Sequence, residues 1–224
     1  GGGYLTLNYQ RSGYLPAQRQ VNVPWQDFVV VEDVVLITRD PQVTTVDLTQ
    51  PTFQVAQGSV VTDADGARRA TLLIPPGTTA QVYNADGTPR TVSNLTLRAT
   101  EYTVGANGPQ TMPAPLPPSS AYTYAVELSA DEGGVKLNGK DVLLSQPVPY
   151  YVENFLNVPV GSVVPVGYYD NTQGRWVASD DGRVIKILSI TNGLADLDVN
   201  GDGTADTGTA LSDLGLTDAE RTQL

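Results

Sequence analysis

The chain has 224 residues, enough to bury a substantial core in one large domain or two small ones. It contains neither cysteine nor histidine, which excludes disulfides, thiolate and imidazole metal sites, and Ser–His or Cys–His nucleophile pairs. Lys and Arg number 13 against 24 Asp and Glu, a net charge of −11, so neither nucleic acid nor an anionic membrane surface is an expected partner.

The opening GGGYLTLNYQ runs straight into strand-like alternation without a signal segment, as expected of a piece cut from a longer chain. No apolar run reaches the length of a membrane span, so membrane insertion is not expected. DFVVVEDVVLIT (Asp27–Thr38) is dense in β-branched residues and predicts a strand. Asx-Gly pairs then recur between apolar runs: Asp65-Gly66, Asp86-Gly87, Asn138-Gly139 and Asp181-Gly182. Each offers the positive φ angles that tight hairpins need, which predicts four hairpins. LTLRATEYTV (Leu95–Val104) and AYTYAVELS (Ala121–Ser129) alternate with period two and predict further strands. Five prolines from Pro109 to Pro118 predict either a boundary between two units or a crossing loop inside one sandwich. No amphipathic helix pattern precedes residue 209. Beyond it, a short turn ends at Gly215, and Thr217-Asp218-Ala219-Glu220 has the form of a capping box opening a second short helix.

The charge is concentrated at one end. From Thr191 to Leu224, Asp196, Asp198, Asp202, Asp206, Asp213, Asp218 and Glu220 face only Arg221, a net of −6. Within that stretch DLDVNGDGTADTG places Asp198, Asn200, Asp202, Thr204 and Asp206 on alternate residues, with Gly203 after the third. Alternate oxygens can converge on one hard cation, the residue at the seventh position offers its carbonyl, and glycine at the sixth permits the sharp turn. This predicts calcium, with Asp196 as a further or outer ligand. The twelfth position is Thr209 rather than a bidentate Glu, so a regular EF-hand is not expected. The competing reading is a solvated acidic turn whose Asx and Gly residues serve the backbone alone.

Other candidates are weaker. Glu101, Glu127 and Glu153 each sit in a strand-like segment and would make a glycosidase pair only if two of them met in a cleft. Their ordinary reading is surface or loop pairing, and no enzyme is expected. Tyrosines and tryptophans in YYVENF and GYYDNTQGRW serve equally as strand formers or as a glycan-binding surface. Asp170, Asn171, Asp180 and Asp181 are explained as well by turns as by a second cation site.

Two resemblances add to this reading. TLLIPPGTTAQVY (Thr71–Tyr83) resembles the Leu-Ile-Pro-Pro-Gly element of the spectrin-binding type β domain of ankyrins and netrin receptors. Some relatives of that domain cleave themselves at His-Phe-Ser. This chain has no histidine, and Ser follows none of Phe28, Phe53 and Phe155, so the resemblance implies no cleavage here. YLPAQRQVNVPWQDFV, DPQVTTVDL, GSVVTDADGARRATLLIPPGT, RATEYTVG, LPPSSAYTYAVELS, YYVENFLNVPVGSVVPVGYYD, GRVIKILSI, GLADLDVNGDGTAD and LGLTDAER together resemble the β-rich region preceding the YD-repeat shell of bacterial RHS-type, teneurin-like proteins. That resemblance spans residues 14–224. It implies a secreted or cell-surface structural module whose partners are other modules of the same parent protein, and it carries no catalytic residue.

The expected architecture is therefore all-β, two β-sandwich-like units with a C-terminal calcium-binding loop and short helix. Residues 1–26 would be terminal strands of a preceding small β domain, 27–118 and 119–190 the two units, and 191–224 the loop and helix. The expected function is a calcium-stabilised, non-catalytic module of an extracellular bacterial protein. The alternative is adhesion to a protein or glycan ligand.

Overall fold

A computed structural model describes residues 2–84, 86–104, 107–116, 123–133 and 141–224. The fold is all-β, and each of the three helices among the described residues is a single turn of four residues.

The chain begins with an antiparallel hairpin, β1 (Gly3–Tyr9) on β2 (Ala17–Val23), in unbroken register from Gly3↔Val23 to Tyr9↔Ala17. The predicted strand over Asp27–Thr38 does not form. Its β-branched residues find no neighbouring strand to pair with, and only Thr38 makes a bridge, to Tyr14. Phe28 and Val30 lie 82% and 87% exposed, so high β propensity here is overridden by the absence of a partner.

The described residues of the centre form eleven strands in chain order: β3 (Thr44–Asp47), β4 (Gln54–Gln57), β5 (Val61–Asp63), β6 (Gly66–Arg68), β7 (Ala70–Ile74), β8 (Ala80–Tyr83), β9 (Pro89–Val92), β10 (Asn94–Glu101), then, past α1 (Gly108–Thr111), β11 (Val126–Ala130) and β12 (Val142–Leu144). β13 (Tyr150–Val152) completes the set. They form three three-stranded sheets, ordered β11–β10–β3, β12–β8–β9 and β13–β7–β4, with β5–β6 as a separate hairpin. Val46 of β3 packs with Ala56, Leu72 and Ile74 of the β4–β7 sheet. Leu95 and Ala130, from β10 and β11, pack on Ala80 of β8. The β11–β10–β3 sheet is thus the common layer against which both others close.

This topology bears on the expected division of the chain. The boundary at 118/119 lies outside the described residues, but strands on its two sides pair with one another: β11 with β10, β12 with β8 and β13 with β7. The strands assigned to two units share one core.

The hairpins also differ from expectation at one site. Those at Asp65-Gly66 and Asp86-Gly87 form as β5–β6 and β8–β9; the one at Asn138-Gly139 lies outside the described residues. Asp181-Gly182 makes no hairpin. Instead β14 (Val163–Val164) pairs with β17 (Gly182–Arg183), and β15 (Gly167–Asp170) pairs with β16 (Arg175–Ala178). The turn between β15 and β16 is organised by Asp170, whose carboxylate accepts from Thr172 N at 2.8 Å, Thr172 Oγ1 at 2.5 Å and Gln173 Nε2 at 2.7 Å.

Candidate metal centre

The last lobe grows from one hairpin, β18 (Lys186–Thr191) on β19 (Leu194–Asp198). Asn192 and Gly193, both at positive φ (53° and 80°), make the two-residue turn. That turn matches the right-handed twist of its strands. Strand alternation sends Ala195 and Leu197 inward, both fully buried, where Val199 and Leu211 join them. Leu211 belongs to α2 (Thr209–Ser212), and Leu216 and Leu224 close the cluster. The apolar floor fixes where Asp198, the last residue of β19, leaves the sheet.

The acidic loop then folds on its own carboxylates. Asp198, 2% exposed, accepts from the backbone N–H of Asn200 (3.2 Å) and Gly201 (2.6 Å) on Oδ1 and of Gly203 (3.0 Å) on Oδ2. Asn200 Oδ1 accepts from Asp202 N at 2.8 Å, and its amide donates to Asp206 Oδ1 at 2.7 Å. Asp206 closes the ring: its Oδ2 accepts from Val199 N and its own N–H donates to the Leu197 carbonyl, each at 2.8 Å. Asp202 turns to Thr204, whose hydroxyl and backbone N–H lie 2.6 and 2.8 Å from Oδ1. Those Thr204 donors, the hydroxyl first, hold the Asp202 carboxyl below its ordinary value.

The loop is seated by close backbone contact. A Cβ on Gly201, at φ 88°, would stand 2.5 Å from the Val160 carbonyl, and one on Gly161 would stand 2.4 Å from the Asn200 carbonyl. Only glycine fits at either position. The Gly161 N–H in turn donates to Val184 O, beside the β14–β17 pair.

The sequence-predicted ligands therefore divide. Asp198, Asn200 and Asp206 are joined in one hydrogen-bonded ring, while Asp202 and Thr204 pair with each other at its rim. Asp196 is engaged elsewhere: its Oδ2 accepts from Ser189 and Thr191 hydroxyls at 2.7 and 2.6 Å, and Arg221 lies 3.8 Å from Oδ1. Thr191, then Ser189, then Arg221 hold its carboxyl below the ordinary value. No group of three or more Asp and Glu side chains that could hold a metal ion occurs among the described residues. The Asn200 amide bridges to Asp206 from within the loop.

The predicted capping box forms by half. Thr217 Oγ1 accepts from Glu220 N at 3.1 Å at the start of α3 (Asp218–Arg221). Glu220 does not reach back. It is buried, and its Oε1 accepts from the Tyr151 hydroxyl of β13 at 2.5 Å. Burial first, and Glu220 second, push the Tyr151 phenol up. This link ties the C-terminal lobe to the central sheets. Nothing in the spacing of the sequence could have paired residues 151 and 220.

The strand glutamates are each occupied. Glu101 meets Arg68 Nε at 2.8 Å, Glu153 accepts from Arg69 N at 2.6 Å, and Glu127 receives the Tyr102 hydroxyl at 3.3 Å.

Residues 1–36 match the family model of the teneurin TTR-like domain. No curated protein and no solved structure matches the chain. The matched segment takes in the β1–β2 hairpin and extends past the expected limit at residue 26, so the N-terminal part of this chain is similar to a teneurin module.

Proposed function

We propose that this chain is a non-catalytic structural module of an extracellular, multi-module protein of the teneurin-like kind, with its C-terminal lobe stiffened by calcium at Asp198, Asn200, Asp202, Thr204 and Asp206. The family match over residues 1–36 supports the extracellular, modular setting. So does the N-terminal hairpin, whose Tyr4 and Leu5 lie 83% and 50% exposed, as expected of strands that continue a neighbouring β domain.

The observation that carries the calcium reading is the buried carboxylate of Asp198, gripped by three loop N–H groups and linked through Asn200 to Asp206. Those backbone donors orient the carboxylates before any ion arrives. Calcium would supply the positive charge that three neighbouring aspartates lack, and Asp202 would have to turn inward from Thr204. Asp196 remains outside the ligand set, holding β18, β19 and Arg221 together.

Thermal unfolding in EDTA and in millimolar calcium tests this. An ion at a hundredfold excess over its Kd adds about 2.7 kcal/mol, which for a chain of this length raises the midpoint by about 5–10 °C. The rise is expected in the wild type and not in Asp202→Ala. Indifference of both proteins would leave the loop as a self-satisfied Asx turn and remove calcium from the proposal.

A second reading, adhesion to a protein, rests on the exposed Tyr4, Trp25 and Phe28 of the N-terminal segment.

A further inference from the structure

Residues 24–34 form a strap that leaves the body of the molecule and returns to the same place. Before it, β2 is pinned by Arg19, whose Nη2 donates to the Gln110 carbonyl at 3.2 Å, and by Gln18, whose N–H donates to Pro113 O at 2.7 Å. After it, Val35 N donates to that same Gln110 carbonyl at 3.2 Å, and Ile37 O accepts from Leu15 N at 2.9 Å. Both ends of the strap are therefore fixed to one stretch of backbone.

The strap itself makes few bonds. Every residue from 24 to 30 is exposed, and Gln26, at φ 57°, marks the corner at which the chain turns away from the hairpin. Among the described residues, 28–34 exchange no hydrogen bond with another strand or loop; the Phe28 N–H turns to the neighbouring Asp27 carboxylate at 2.8 Å. The side chains are as unusual as the backbone. Trp25 is 72% exposed, and Phe28 and Val30 are more so, which leaves the gain from burying them unrealised in folding. Other exposed aromatics sit on paired backbone, Tyr4 opposite Asn22, Tyr150 opposite Leu72 and Tyr168 opposite Val177. Among the described residues, an accessible aromatic and an unpaired main chain coincide only in the strap.

An endoprotease needs that coincidence. Its cleft pairs with a substrate main chain that has no other partner, and a pocket receives the side chain before the cut. We propose that the strap is a processing site for an endoprotease whose pocket takes an aromatic side chain, with the cut after Phe28. Hydrolysis adds water across the Phe28–Val29 peptide: the C–N bond breaks, leaving a carboxylate on Phe28 and an ammonium on Val29. The N-terminal hairpin then stays docked, because what holds it lies outside the strap. Leu15 remains packed with Tyr102 and Met112, and Gln18 and Gln20 remain bonded to the Tyr169 hydroxyl and the Gln173 carbonyl beside the β15–β16 turn. Cleavage thus converts a covalent joint between hairpin and centre into a non-covalent one. It does so independently of the cation loop.

The test is limited digestion of the whole chain with chymotrypsin at neutral pH, read by intact mass and by gel filtration. The first cut is expected after Phe28, giving residues 1–28 and 29–224, which co-elute where the uncut protein does and separate in guanidinium. Phe28→Ser alters a side chain that stands in solvent and should slow that cut about tenfold or more, the loss of one aromatic group from the protease pocket. A first cut anywhere outside residues 24–34 overturns the proposal. So does an unchanged rate in Phe28→Ser, and so does release of residues 1–28 from the nicked protein on gel filtration.

Discussion

The hairpins near the two ends of the chain use the same element to opposite effect. β1–β2 pairs without interruption over seven residues of each strand, whereas β18–β19 carries a register shift between Ile187 and Ser189. By pairing alone the first should be the sturdier. Burial reverses the order. β1 leaves Tyr4 and Leu5 in solvent, and the hairpin is held chiefly through β2, by Ala17 and Arg19. Arg19 donates to the carbonyls of Gln110 and Met112, each at 3.2 Å. β19 instead buries Ala195 and Leu197 completely beneath Leu211 and Leu224. A two-stranded ribbon is marginal in water until another layer covers one face, and among the described residues the second hairpin has the more complete apolar cover.

The largest effect should therefore come from the covered hairpin. Leu197→Ala removes a fully buried side chain and should cost about 2–5 kcal/mol, whereas Leu5→Ala, half exposed, should stay within about 0.5 kcal/mol. Urea denaturation followed by circular dichroism measures both, and equal losses would show that the two hairpins are equally supported.

A sharper comparison lies within the C-terminal lobe. Gly193 and Gly201 both sit at positive φ, 80° and 88°, but an added Cβ meets nothing at Gly193 and meets the Val160 carbonyl at Gly201. Gly193→Ala should cost about 1 kcal/mol of backbone strain. Gly201→Ala should cost about 3 kcal/mol, because the loop must lift from residues 160–161 as well. Similar costs would mean that the loop is not seated there.

Next comes the tether. Tyr151→Phe takes the donor from a buried Glu220 carboxylate and should cost about 1–3 kcal/mol. Faster amide exchange is expected in α3 first, with the N-terminal hairpin unaffected. Uniform loss of protection would show that Tyr151 serves only the central sheet.

How legible all this was depended on the range of the interaction. The Asp86-Gly87 hairpin and the alternation of β10 could be read because the signal and the structure are local. Asp181-Gly182 looked the same and misled, since β16 had already been taken by β15 through the Asp170 turn. Asn192-Gly193 is an equally plain turn signal, and it sets the register of the strand that delivers Asp198. Residues 27–38 had strand composition but no neighbour. For the site, spacing singled out the loop from Asp198 to Asp206 but could not show that Asp196 is claimed by Ser189 and Thr191, or that Glu220 is claimed by Tyr151. Those partners depend on which strands lie side by side, and no single-chain pattern carries that.

Acid separates the hairpins once more, by the smallest of these effects. The first 26 residues contain no carboxylate, whereas the second hairpin depends on Asp196 and its loop on Asp202, both held below the ordinary 3.8 by hydroxyl donors. A carboxylate with a depressed folded pKa lends stability that is present above its unfolded value and is lost as pH falls through the folded one. Protection of the Leu194–Asp198 amides should accordingly hold from neutrality down to about pH 4 and decline below it, while that of Leu5–Tyr9 should not change. Asp63, drawn down to about 2 chiefly by its hydrogen bonds with Arg68, and Asp170, drawn to about 2 chiefly by Thr172, set the lower end, where the centre should follow. Hydrogen exchange from pH 5 to pH 2, corrected for intrinsic rates, gives the order of loss. If β1–β2 loosens with or before β18–β19, the carboxylate bonds of the C-terminal lobe are not what distinguishes the two.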